Sequence, residues 1–140
     1  MDNHHCFQLA IRKSSRLITQ FYQERLSKVG LKIGQFSILR AINFRKQTSN
    51  KELQSILELD QTTLTRNLKP LIRDGYLTLS TNFEDGRQKI ISLSPDGLAL
   101  YEEAVPIWKA AQDELQHKIG TTETDNILAL TNVFIKALGN

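Results

Sequence analysis

A single cysteine, Cys6, stands in 140 residues, so no internal disulfide framework holds this chain together and its stability has to come from a buried core. No cationic start followed by an apolar run marks a secretory signal. No window approaches the roughly 18 apolar residues needed to cross a bilayer. The histidines, His4, His5 and His117, are not spaced as zinc ligands. There is also no Ser/His/Asp constellation, no glycine-rich phosphate loop and no paired-carboxylate motif. No catalytic residue, metal or cofactor is therefore expected. Repeats, low-complexity tracts and linkers rich in Pro, Gly or Ser are missing as well. These absences leave a soluble, cytoplasmic protein of one domain as the expectation, because 140 residues suit one core and not two. With 18 Lys and Arg against 15 Asp and Glu the net charge is +3, which permits nucleic-acid binding without requiring it.

What is present is largely helical periodicity. Over residues 6–29, Phe7, Ile11, Ile18, Tyr22 and Val29 recur at multiples of the helical period among Arg12, Lys13, Arg16, Arg25 and Lys28, which predicts one long amphipathic helix stopped near Gly30. Phe36, Leu39 and Ile42 predict a short, mostly buried helix over residues 34–42. After the polar loop Arg45-Lys46-Gln47-Thr48, the residues Thr48, Ser49 and Asn50 offer N-caps for a third helix with Leu53, Ile56 and Leu57 inside. Asp60 caps a fourth, whose Leu64, Leu68, Leu71 and Ile72 form the stripe that packs on the third. Pro70 within it removes the hydrogen bond to the Arg66 carbonyl and predicts a bend without a break.

Gly75 closes that helix, Leu77-Thr78-Leu79 alternates as a strand does, and residues 88–93 read as the returning strand of a hairpin tipped by Asp85-Gly86-Arg87. Ser94-Pro95 restarts a helix in which Leu98, Tyr101, Val105, Trp108, Gln112, Leu115 and Ile119 form a seam for another helix. Gly120 ends it. Thr121 or Thr122 then caps a last helix with Ile127, Leu128, Phe134, Ile135 and Leu138 on its apolar face. The fold class is mainly α with a small two-stranded β-hairpin wing, a winged helix-turn-helix core flanked by long helices.

A helix followed by a basic finger is how such a fold reads a major and then a minor groove. The fourth helix turns Gln61, Thr62, Thr63, Thr65, Arg66, Asn67 and Lys69 away from its apolar stripe, with donors and acceptors of the right length for base edges and phosphates and no acid among them. Arg66 suits a guanine, donating two parallel bonds to O6 and N7; a phosphate contact, or an ion pair with Asp74 or Glu58, is the plainer use. Thr63 is open to a simple capping role. Thr48, Ser49 and Asn50 open a helix whose unpaired amides can accept a phosphate. A protein-docking surface would carry apolar anchors where this face is polar.

The segments EDGRQKIISLSPDG (residues 84–97) and LDQTTLTRNLKPLIRDGYL (59–77) resemble the wing and the recognition helix of the multiple-antibiotic-resistance regulator (MarR) family of bacterial repressors, and the likeness covers nearly the whole chain. The resemblance implies an obligate homodimer in which residues 1–33 and 95–140 interlock around a DNA-binding core at 34–94. It implies a palindromic operator with half-sites roughly 10 bp apart. Trp108, Tyr101 and Phe134 support the dimer independently, since one small subunit has too little core to bury them. Arg87 looks like the family's minor-groove arginine, Asp85 like the carboxylate that orients it, and Lys89 adds a phosphate contact. A surface turn that pairs Asp85 with Arg87 to no purpose is the alternative.

Family members usually release DNA on binding a small aromatic or phenolic effector, or on oxidation of a cysteine. Peroxide-sensing relatives carry a reactive cysteine in the first helix, but aligning the shared run Ser14-Ser15-Arg16 places it at Gln8, two residues beyond Cys6. The tyrosine at Tyr22 is kept, while two others are replaced by Arg12 and Ile33. That departure weighs against a peroxide switch. His4-His5-Cys6 therefore stays open between an activated thiol, a metal ligand and an idle cysteine near a terminus.

Overall fold

Phe36, Ile38, Leu39 and Ile42 are at most 1% exposed, and the helix that carries them, Ile33–Arg45 (α2), is the axis on which the rest of the chain is laid. A computed structural model describes residues 5–81, 84 and 86–139. The order is α1 (Phe7–Leu26), α2, α3 (Asn50–Leu57), α4 (Gln61–Arg73), β1 (Leu77–Thr81), β2 (Lys89–Leu93), α5 (Pro95–Ile119) and α6 (Thr121–Leu138). The core joins Leu26 and Leu31 at one end to Leu53, Leu64, Leu68 and Leu71 of α3 and α4, Leu77 and Ile91 of the hairpin, and Ala104 of α5.

The helix boundaries follow their local chemistry. α1 stops at Leu26, three residues short of the expected end, because Ser27–Val29 tighten into a 3-10 turn before Gly30 takes a left-handed φ of 73°. α2 runs on to Arg45, carrying Phe44 out into solvent at 84% exposure. Ser49 caps α3 by accepting the Glu52 amide, and Asp60 caps α4 by accepting the Thr63 amide at 2.6 Å. Gly120, not Thr121 or Thr122, occupies the cap position of α6, and no side chain there bonds the first turn. α4 continues through Pro70 to Arg73.

The hairpin pairs antiparallel with Leu77 opposite Leu93 and Thr81 opposite Lys89. A third line of backbone joins it from a place where periodicity signals nothing. Thr48, in the turn between α2 and α3, donates its amide to the Ile91 carbonyl at 3.0 Å and accepts the Ile91 amide at 2.7 Å. β2 is thus bonded on both edges, by β1 and by Thr48.

Three packing expectations need correction. Ile56 and Ile72, assigned to inner faces, are 48% and 38% exposed, because Leu53 with Leu57, and Leu64, Leu68 and Leu71, already fill those seams. On α5 the fully buried residues are Gly97, Ala104 and Ala111; of the expected seam Tyr101, Val105 and Trp108 pack half-buried against the core, while Leu98 and Gln112 are exposed. Tyr101 and Trp108 do find cover within their own subunit, packed on Phe36 with ring centroids 5.7 and 5.5 Å away. By contrast α6 has no buried residue, and the first eleven residues of α1 show Phe7, Ile11 and Leu17. Among the described residues no helix is long and apolar enough to cross a membrane.

Candidate nucleic-acid interface

The outer face of α4 is set by its own amphipathicity. With Leu64, Leu68 and Leu71 locked into the core, a period of 3.6 forces Gln61, Thr62, Thr65, Arg66 and Lys69 to the far side, where all five are exposed. Five of these residues, Gln61, Thr62, Thr65, Arg66 and Lys69, line a shallow hollow together with Pro70. The neighbouring cleft, about 510 Å³, lies between the start of α3, the start of α4 and the base of the wing. Ser49, Asn50, Lys51, Gln54, Gln61, Arg87, Gln88 and Lys89 line it. Gln61 belongs to both depressions, so they form one track. Arg66, Lys69, Lys51, Arg87 and Lys89 line that track, and among the described residues no carboxylate lines these two hollows. Lys51, Gln54 and Gln88 were not among the expected contacts; the first two lie on a turn of α3 that borders the wing across the cleft.

Other expected contacts are used differently. Thr48 and Ser49 are each 4% exposed. Ser49 uses its hydroxyl oxygen as the α3 cap at the edge of the cleft, and Thr48 pairs its backbone with β2, so both sit largely beneath the surface a duplex would meet. What remains for a phosphate there is the start of α3 at Asn50 and Lys51. Asn67 turns inward: its amide nitrogen donates to the Thr63 carbonyl at 3.0 Å and its amide group packs beside Gly34 of α2. Thr63 is engaged in the cap through both amide and hydroxyl. These bonds hold the Asp60 carboxyl below the usual carboxylate range, helped by the charge of Arg66. Arg66 makes neither of the ion pairs considered for it, since Asp74 bonds Arg73 at 3.1 Å. Asp85 lies outside the described residues.

Away from the track, Cys6 is exposed at the start of α1. Tyr22 is buried in the same helix, where its hydroxyl donates to Gln112 and burial pushes its pKa up. Sixteen helical residues separate the two, about 24 Å at 1.5 Å per residue. No cluster of His, Cys, Asp and Glu among the described residues would hold a metal ion.

A three-helix core, a two-stranded wing and a basic track across both define a winged-helix DNA-binding protein. The MarR family model matches residues 31–89. The organic hydroperoxide resistance transcriptional regulator of Bacillus subtilis is 35% identical over 107 residues, 76% of this chain and 71% of that protein. The Mycobacterium tuberculosis transcriptional regulator MosR, solved in complex with DNA, superposes with a TM-score of 0.81 at 30% identity over 96% of this chain and 99% of that one. Bordetella bronchiseptica BpsR shares the fold, with a TM-score of 0.86 at 22% identity over 96% of each chain. The chain belongs to the MarR family of DNA-binding transcriptional regulators.

Proposed function

We propose that the protein is a homodimeric repressor of a palindromic operator whose half-sites lie roughly 10 bp apart, released by a small aromatic effector. The basic track carries this reading. It offers α4 to a major groove, with Arg66 donating to a guanine and Gln61, Thr62, Thr65 and Lys69 to neighbouring edges and phosphates. Arg87, at the wing, enters the adjoining minor groove, where a narrow A·T-rich stretch concentrates negative potential. Lys51 and Lys89 flank the strand between them.

The seam between α2 and α5 suits the effector. Tyr101 and Trp108 are half-buried there against Phe36, and Arg40 lies 4.7 Å from the Trp108 ring centre, a cation beside stacked aromatics for a phenol or benzoate. An oxidation switch at Cys6 is the second reading. The exposure of that thiol and the likeness to a hydroperoxide-resistance regulator favour it.

The test is selection of duplexes from a random pool, then anisotropy titration of the recovered sequence. A palindrome is expected, with log affinity falling against log salt by about 0.9 per phosphate neutralised. Arg87→Ala should weaken binding severely while the dimer persists. A hydroxybenzoate should release the DNA and quench the only tryptophan, Trp108, whereas release by an organic hydroperoxide that Cys6→Ser abolishes would favour the second reading. A salt-independent affinity, or no enriched sequence, would overturn both.

A further inference from the structure

Glu52 touches three pieces of the structure at once. Its carboxylate accepts from the Arg45 guanidinium, at the end of α2, at 2.6 Å. The same oxygen is 3.5 Å from the Thr48 hydroxyl, at the outer limit of a hydrogen bond. Its amide donates to the Ser49 hydroxyl at 3.2 Å. Thr48 in turn is the residue that pairs with Ile91 in both directions. Lys46, between Arg45 and Thr48, has a φ of 70°, so this turn is held in a conformation that residues other than glycine seldom take. Ile91 is 2% exposed, and Arg87 stands four residues before it along the same arm.

We propose that Glu52 is a positioning residue for the wing: gripped by Arg45 and facing Thr48, it fixes the turn whose backbone fixes β2, and through β2 it sets where Arg87 meets the minor groove. The lever is long. Arg87 stands in the turn two residues before β2 begins, so the four residues to Ile91 span at most about 13 Å and a rotation of about 5° at the Ile91 pairing moves the Arg87 backbone by up to about 1 Å, enough to spoil the fit of a side chain in a groove about 6 Å wide. β1 supplies only part of this restraint, because a two-stranded hairpin is marginal by itself; the buried Leu77 and Ile91 hold its base, and the Thr48 pairing adds a second bonded edge to β2. The Arg45 and Glu52 side chains are 49% and 42% exposed, so their pairing adds little to overall stability, and its loss acts on geometry more than on folding.

The inference rests on the wing contacting DNA, and two measurements separate it from that reading. In DNA-free protein, Glu52→Gln should speed hydrogen exchange at the Thr48 and Ile91 amides about tenfold while amides of α1 and α5 keep the wild-type rate. In binding, Glu52→Gln and Arg87→Ala should be coupled: if Arg87→Ala weakens the wild type about thirtyfold, it should weaken the Glu52→Gln protein about threefold or less. Thr48→Val, which keeps the backbone pairing and removes the hydroxyl, should reproduce part of the exchange effect. Unchanged exchange at Ile91, or losses that simply multiply, would overturn the positioning role. An Arg87→Ala change without effect in the wild type would instead remove the wing contact, with the exchange result still deciding whether Glu52 holds the turn.

Discussion

A β-carbon at Gly97 would lie 1.9 Å from the Tyr76 carbonyl oxygen and 2.9 Å from its carbon. Both neighbours are fixed, the first by accepting the Ser94 amide at 3.1 Å and the second as backbone, so neither can retreat cheaply. Helix propensity would favour alanine here by about 1 kcal/mol; the collision outweighs it. Gly97→Ala should lower unfolding free energy by about 3 kcal/mol in a urea titration, a core-overpacking effect. The Asp60 cap gives a second, pH-dependent expectation. Its carboxyl is held low first by the Thr63 amide and then by the Thr63 hydroxyl, so the folded form has the lower pKa. Its contribution is therefore complete above the ordinary carboxylate range and is lost as pH falls through the depressed value. Thermal melts of Asp60→Ala and wild type should differ at pH 6 and converge toward pH 2; a constant difference would show that the carboxylate charge plays no part.

The elements themselves were legible because each is announced by a period and a punctuation mark: Asp60 before α4, Ser94-Pro95 before α5, glycine after α1 and α4. What stayed hidden depends on one-residue events. The Thr48 pairing with Ile91 occupies a single position and leaves no alternation to read. Asn67 looks like a groove-reading residue by type, yet it lies at the edge of the buried stripe and its direction is decided by Gly34, which leaves room for it on another helix. The burial of Ala104 and Ala111 on α5 stayed hidden for a related reason: small residues carry a weak hydrophobic signal. Pro106 sits inside α5 as Pro70 does inside α4, and neither ends its helix. At Pro70 the missing amide leaves the Arg66 carbonyl without its helical partner beside the polar hollow. Pro70→Ala returns an amide to that carbonyl and should change the preferred base at the outer end of each half-site, read by repeating the duplex selection on the variant.

At the scale of the whole molecule the imbalance lies between the two ends of the chain. α6 buries nothing, and Leu128, Leu130, Val133, Ile135 and Leu138 are each at least 50% exposed, while Phe7 and Leu17 of α1 are bare as well. Soluble proteins seldom leave so much contiguous apolar surface open, and a second copy of the same two helices is the partner the proposed repressor requires. The energetic consequence of charging this surface can be bounded. Leu130→Glu removes a leucine contact worth about 2 kcal/mol, and two-fold symmetry counts the loss twice. About 4 kcal/mol corresponds to a dissociation constant raised roughly a thousandfold. Sedimentation at micromolar concentration should then show a monomer for Leu130→Glu and a dimer for wild type, while the DNA-reading core of each subunit, built on α2, remains folded. Operator binding should fall with it, because a monomer engages one half-site and forfeits the effective concentration that the tether to its twin provides. A variant that stays dimeric with full operator affinity would place the subunit contact elsewhere and leave the apolar face of α6 to another partner.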